Sequence, residues 1–291
     1  MIPTFPPQKP QLLQEVEAMP GFAWEDLGLG DLKIGQVKDS FRFGEDQVVL
    51  AHWAADLMSA RLRLKSSRGE RPLMLADMGA GNGILLLLLS QIIPGSKGLG
   101  IELMDRPYKL LQANFMVNRL NTRFLPVQAN LEELAGKPWP QWALSDGTPL
   151  EANGFDLVVS NPPYFLPGKG PARPEETPGD IENIAAREER FASLETFFRN
   201  IKKALGPGGK AAILHRSDRL RDVLWAARDV GLYPVRLRAI TPRAAEKAGS
   251  FLLCLQKDPT QQFIWERDLV MRRPDGTYTM EVAGYYPEEE G

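Results

Sequence analysis

The run Pro72-Leu73-Met74-Leu75-Ala76-Asp77-Met78-Gly79-Ala80-Gly81-Asn82-Gly83 decides how the rest of the chain is read. Pro72 to Ala76 is apolar enough for a buried strand, and Asn82 to Ile93 has the pattern of a helix, greasiest from Ile84 to Leu89. Between them Gly79, Gly81 and Gly83 form a strand-to-helix turn, where the missing Cβ atoms let main chain approach a ligand closely. The spacing departs from G-x-G-x-x-G, in which amides at a helix start receive a pyrophosphate. A nucleoside ligand without phosphate suits the different spacing.

Outward from this turn, strands and helices alternate. Gly98 to Ile101 reads as a strand ending in Glu102, Arg106 to Leu120 as a helix and Phe124 to Gln128 as a strand. A looser stretch with Trp139 and Trp142 leads to a buried strand, Phe155 to Val159. Beyond a long Gly/Pro loop, the pattern predicts a helix over Glu189 to Ala204, a turn at Gly206-Pro207-Gly208-Gly209 and a strand over Lys210 to Leu214. A helix from Asp218 to Val230 and strands Val235 to Ile240 and Ser250 to Gln256 follow. Strands separated by helices imply right-handed crossovers and an α/β fold: a seven-stranded, mostly parallel sheet with helices on both faces. No helical run separates the last two strands, so one antiparallel strand is expected near the C-terminal end.

This core is expected to span residues 46–258, its first helix carrying Val48, Val49, Leu50, Trp53, Ala54, Leu57 and Leu62 at three-to-four spacing. Residues 1–45 read as an N-terminal arm, Pro-rich and loosely packed to about residue 20, then a short hairpin over Leu32 to Phe43. Lys65 to Arg71 reads as a basic loop. Residues 259–291 read as an extension with a hairpin cue, Pro274-Asp275-Gly276 between Leu269 to Arg272 and Thr277 to Val282.

Composition bounds the function. Of 291 residues 43% are hydrophobic and 25% charged, as in a folded globular chain. Lys+Arg 35 against Asp+Glu 37 gives no global attraction to nucleic acid, so any basic footprint is local. The one cysteine, Cys254, lies in the apolar run Phe251 to Leu255 and reads as a small core residue. The histidines, His52 and His215, are far apart in sequence, and no metal site is expected. No apolar run approaches the roughly 20 residues of a membrane span, and the N-terminus has no secretory pattern, so a cytoplasmic location is expected.

A second motif follows the strand over Phe155 to Val159: Ser160-Asn161-Pro162-Pro163-Tyr164-Phe165. The Asn161 side-chain oxygen and the Pro162 carbonyl are two adjacent acceptors beside an aromatic face, an arrangement that fits a planar nitrogen bearing two hydrogens. Accepting both hydrogens favours pyramidalisation and aims the nitrogen lone pair at an electrophile, which is positioning plus electrostatics. Asn161, Pro162 and Tyr164 are therefore the expected catalytic residues, with Tyr164 stacking on the acceptor. Pro163, Phe165 and Arg187 are expected to contact the substrate. With the glycine turn, the motif points to methyl transfer from S-adenosylmethionine to an amino group. Asp77, Gly79, Gly81, Gly83, Glu102 and Asn161 are the expected cofactor residues. Asp77 would hold the amino-acid end, and Glu102, placed where an acid meets ribose hydroxyls, could equally cap the helix after it. A base reached this way must leave its stack, so a single-stranded or flipped nucleotide is implied. Arg and Lys between Arg187 and Lys247 could meet phosphates or simply be solvated.

With these residues in hand, the chain resembles the bacterial tRNA methyltransferases that modify N6 of adenosine 37 in the valine tRNA anticodon loop. Besides the two motifs, the resemblance rests on Gln36, Phe41-Arg42-Phe43 and Asp46, on Ile184 to Glu189, and on Leu214-His215-Arg216. It implies a Rossmann-like class I methyltransferase fold, S-adenosylmethionine as cofactor and tRNA as substrate, with Phe41 to Asp46 near the donor's methionine end. One departure is Asn130, where such enzymes carry an Asp to accept from the cofactor adenine; an Asn oxygen can also accept. Rival readings are a protein glutamine N-methyltransferase and a non-catalytic nucleoside- or RNA-binding protein on the same fold.

Overall fold

A computed structural model describes residues 9–38, 44–62, 71–164, 192–259 and 262–286. The chain runs α1 (Gln11–Glu17), β1 (Phe22–Asp26), β2 (Lys33–Val37), α2 (Glu45–Leu57), β3 (Met74–Met78) and α3 (Ile84–Ile92). Next come β4 (Lys97–Glu102), α4 (Asp105–Val117), β5 (Phe124–Gln128), α5 (Leu131–Gly136) and a small hairpin of β6 (Trp142–Ala143) and β7 (Pro149–Leu150). The second half is β8 (Phe155–Ser160), α6 (Leu194–Ala204), β9 (Leu205–Arg216), α7 (Leu220–Asp229), β10 (Tyr233–Arg243) and β11 (Ser250–Gln256). The tail adds β12 (Ile264–Trp265), β13 (Leu269–Arg272) and α8 (Met280–Ala283).

Strand order is β5-β4-β3-β8-β9-β11-β10-β12, with β13 also on β10. The first five are parallel, and β11 runs antiparallel to both neighbours, as expected of a strand reached without a helix. Seven long strands match the expected core; the short β12 and β13, both parallel to β10, raise the sheet to nine. The order reverses between β3 and β8, and in such sheets the crevice beyond the strand ends at that point receives a ligand. The two-residue period sends Leu75, Leu157, Val159 and Leu214 to the face covered by α2 and α3. Ala76, Met78, Val158 and Ile213 go to the face covered by α6 and α7. Leu86 to Leu89 are fully buried, so Leu88→Ala should cost about 3 kcal/mol. Cys254 is a fully buried member of the first face.

Several local expectations change. The Pro-rich arm contains the helix α1, whose Leu13 and Val16 are buried against Leu110, Ala113 and Val117 of α4. The hairpin lies earlier than expected, pairing Phe22 with Val37 and Asp26 with Lys33, while 39–43 fall outside the described residues. Gly206 to Gly209 is a bulge inside β9: pairing with β8 jumps from Phe155–Leu205 to Leu157–Lys210. After the Pro274-Asp275-Gly276 turn only Tyr278 bridges back, to Arg272, and the chain then enters α8 instead of a second strand. Among the described residues no helix is long and apolar enough to cross a membrane.

One device fixes the N-terminal hairpin to the core. Asn114 on α4 and Asn118, the residue that caps its C-terminal end, act on β2 as a neighbouring strand would. Asn114 Oδ1 accepts from Gly35 N at 2.6 Å, and Asn118 Oδ1 from Lys33 N at 2.9 Å. Their amides donate back to the carbonyls of Gly35 (3.3 Å) and Lys33 (2.7 Å). Asn114 Nδ2 also donates to Asn82 O at 2.8 Å, tying the hairpin to the glycine turn.

Candidate active site

The β3–α3 turn is held in place by its neighbour strand, since Gly79 N and Ala80 N donate to Ile101 O at 3.0 and 2.8 Å. All three glycines have positive φ, at 78°, 56° and 87°, a region closed to most side chains. Their surroundings differ. A Cβ on Gly79 would lie 3.2 Å from Phe197 Cε1 and one on Gly83 2.5 Å from Leu111 Cδ1, whereas Gly81 faces open space. The missing Cβ of Gly83 thus makes room for Leu111.

One cavity brings together Asp77, Gly79, Gly81, Glu102, Asn130, Asn161 and Pro163. Gly83, Pro162 and Tyr164 do not line it, and Phe165 and Arg187 fall outside the described residues. Asp77, 1% exposed, has both carboxylate oxygens buried without a hydrogen-bond partner among the described residues. Burial, and after it the charge of Glu102, pushes its carboxyl well above the usual range. A cationic ligand group beside it would relieve that cost. Glu102 bonds main chain on both sides and faces the cavity. Its Oε1 accepts from Leu103 N (2.9 Å) and Met104 N (2.8 Å) ahead of α4, and its Oε2 accepts from Gly81 N at 2.8 Å while lining the cavity. Asn130 caps α5, its Oδ1 accepting from Glu132 N at 2.9 Å. The oxygen expected to meet an adenine amine therefore already has one partner, leaving its second lone pair.

At the other end Ser160 Oγ donates to Met78 O at 2.7 Å, binding the tip of β8 to β3. The Tyr164 hydroxyl donates to Asn161 Oδ1. Burial, then Asp46, raises the Tyr164 phenol further above its ordinary value, so it remains a neutral donor. Arg219 Nη1 donates to Tyr164 O at 2.8 Å while its Nε donates to Asp222 at 2.8 Å. His215, fully buried, packs edge-on to the Tyr164 ring at 5.3 Å and accepts from Arg216 N through Nδ1 at 2.9 Å. Burial, with Arg219 second, pushes its imidazole down to about 4.

Sequence reasoning missed Gln47 and Phe197, which also line the cavity. Gln47 is buried on the first turn of α2 and accepts from Gly44 N at 2.8 Å. Its signal was adjacency to Asp46. Phe197, under Gly79, was visible only as one apolar position on α6.

No protein-family model matches the chain. It is 26% identical over 218 residues to the tRNA1(Val) (adenine(37)-N6)-methyltransferase of Porphyromonas gingivalis W83, covering 73% of this chain and 71% of that one. It is 22% identical over 244 residues to the protein of the same name from Aeromonas hydrophila, covering 82% and 86%. A shorter match, 30% over 165 residues and 51% of the relative, is to a 4-amino-L-phenylalanine/4-methylamino-L-phenylalanine methyltransferase of Streptomyces pristinaespiralis. Among solved structures the hMettl16 catalytic domain in complex with a MAT2A 3'UTR hairpin superposes with a TM-score of 0.52 at 18% identity, covering 82% of this chain and 79% of that one. The fold is the Rossmann-like one of the S-adenosylmethionine-dependent methyltransferases, and S-adenosylmethionine is the cofactor these comparisons support.

Proposed function

We propose that the protein transfers a methyl group from S-adenosylmethionine to the N6 amine of an adenosine in tRNA, at position 37 of the anticodon loop. The observation that carries this reading is the Asn161 carboxamide, oriented by the Tyr164 hydroxyl and lining the same cavity as the unpartnered Asp77 carboxyl. The names of the tRNA relatives support the adenine and the tRNA.

When bound, S-adenosylmethionine supplies an electrophilic methyl on a sulfonium. Asp77 would face its ammonium, Glu102 its ribose and Asn130 its adenine. On the acceptor side, the second lone pair of Asn161 Oδ1 and the Pro162 carbonyl take the two amine hydrogens. This localises the nitrogen lone pair and directs it at the methyl. The ring of Tyr164, backed by His215, stacks on the base. Arg219 is a positioning residue that holds the main chain after the motif. No strong base is required, because the amine proton becomes acidic once the nitrogen is methylated.

The test is nucleoside mass analysis of unmodified tRNA incubated with the protein and S-adenosylmethionine. The expected result is N6-methyladenosine with the native protein and none with Asn161→Ala. Donor binding without any methylated nucleoside would overturn the reading. The phenylalanine-derived relative, whose substrates carry an amine on an aromatic ring, favours one second reading: a small aromatic amine as acceptor. Methylation of 4-amino-L-phenylalanine but not of tRNA would establish it.

A further inference from the structure

A second cavity opens at the same end of the sheet, lined in part by Asp46, Ile240, Pro242, Arg243, Ser250 and Met271. Register places it. Ser160, the residue before Asn161, pairs with Ile213 on β9; further along β9 Arg216 pairs with Ser250, and Ser250 with Ile240. The cavity therefore follows the acceptor loop across the strand ends. The start of α2 spans the two sites, Gln47 lining the first and Glu45 and Asp46 the second. Asp46 is also close enough to act on the Tyr164 phenol.

The far side of the cavity comes from the tail, through Met271 and Arg272. Parallel pairing of β13 with β10 sets Arg272 opposite Arg243. The Arg272 guanidinium lies 4.4 Å over the Tyr278 ring, which stacks at 5.3 Å and 9° on Tyr286. Arg272 and the Tyr278 hydroxyl both donate to Glu45, and Arg272 also donates to Gly276 O at 3.0 Å. Arg272, which lines the cavity, is thus held by two stacked rings behind it and fastened to the first turn of α2.

The remaining surface carries selective chemistry. Ile240, Pro242 and Met271 are apolar. Arg243 is half exposed, and its pairing with Glu246 at 3.5 Å is loose, so its guanidinium has donors to spare. The Asp46 carboxyl makes no hydrogen bond among the described residues. Burial, and then Glu45, raises it above the usual carboxylate range, and its oxygens are free to accept. Apolar lining beside a guanidinium donor and a carboxyl acceptor is chemistry that can read the edge of an unstacked nucleobase.

We infer that this second cavity holds the base of the nucleotide next to the acceptor in single-stranded RNA, with Arg243 and Asp46 reading its edge. The inference rests on the proposed RNA acceptor. It is tested with synthetic RNA stem-loops carrying the acceptor adenosine, either intact or with one flanking nucleotide made abasic, on the native protein and on Arg243→Ala. The native protein should lose about tenfold in kcat/KM when one of the two flanking bases is missing, the scale of a lost base contact. Arg243→Ala should lose about tenfold on the intact loop, little more on that abasic loop, and nothing in donor affinity. Equal rates on intact and both abasic loops, or an Arg243→Ala loss of the same size on all of them, would overturn the subsite alone. No RNA methylation by the native protein would overturn the proposed function, and the subsite with it.

Discussion

The two ends of the first cavity solve opposite problems. At the glycine turn, Asp77 keeps two buried oxygens without partners, and positive-φ glycines hold the chain where side-chain-bearing residues would be strained. At the acceptor end the local groups satisfy one another: Ser160 bonds Met78, Tyr164 bonds Asn161, and Arg219 bonds Tyr164. The first arrangement is costly until a cation arrives, so binding and stability are coupled there. The second is settled before any acceptor arrives, which suits a site whose task is geometry.

Asn161→Ala is expected to have the largest effect. Removing one of two acceptors that act on the reacting nitrogen should lower the single-turnover rate by about a thousandfold. Donor affinity should stay within about threefold of the native value, as read by calorimetry. A matching collapse of donor affinity would erase the distinction between the ends.

His215 is the place where the acceptor end carries its own cost. Its folded pKa of about 4 lies below the ordinary 6.5, so as pH falls through that window the unfolded chain takes up a proton that the folded chain refuses. Stability should fall by up to about 3 kcal/mol between pH 6.5 and 4 on this account. Urea titrations across that range should show a shallower slope for His215→Asn.

At the donor end the sign reverses. A carboxyl whose folded pKa is raised costs stability above its unfolded value of 3.8. Asp77→Asn should therefore raise the thermal midpoint at pH 7 by a few degrees while weakening donor affinity by about a hundredfold, the size of a lost buried charge contact. A destabilised variant would show that the carboxyl has a structural partner.

Arg219→Ala should act least, lowering kcat by about tenfold through a looser Tyr164 main chain, the scale of one charge-assisted hydrogen bond. Donor Kd should not move, and Arg219→Lys should recover part of the rate. A change in donor Kd equal to that in kcat would mark a general structural role.

The strands, the glycine turn and the acceptor motif were legible because each is local: an apolar run, a turn, and polar atoms on adjacent residues. What escaped depends on distant partners. In the Pro-rich arm, Leu13 and Val16 have helical spacing, but only the face of α4 makes that helix worth forming. The parallel pairing of β13 with β10 links residues 29 apart across two intervening strands, which no pattern within the tail announces. Asn130 reads as a cofactor residue only through the resemblance, and its cap on α5, a local signal in its own right, adds a second role. Phe197 reaches the cavity from α6, so three-dimensional packing alone reveals it.

The most direct test of the contrast is calorimetric titration of S-adenosylmethionine into the native protein, Asp77→Asn and Asn161→Ala side by side. Native-like binding by Asn161→Ala together with about hundredfold weaker binding by Asp77→Asn is the predicted result. Native-like binding by Asp77→Asn, or loss of binding by Asn161→Ala, would contradict the assignment of the two ends.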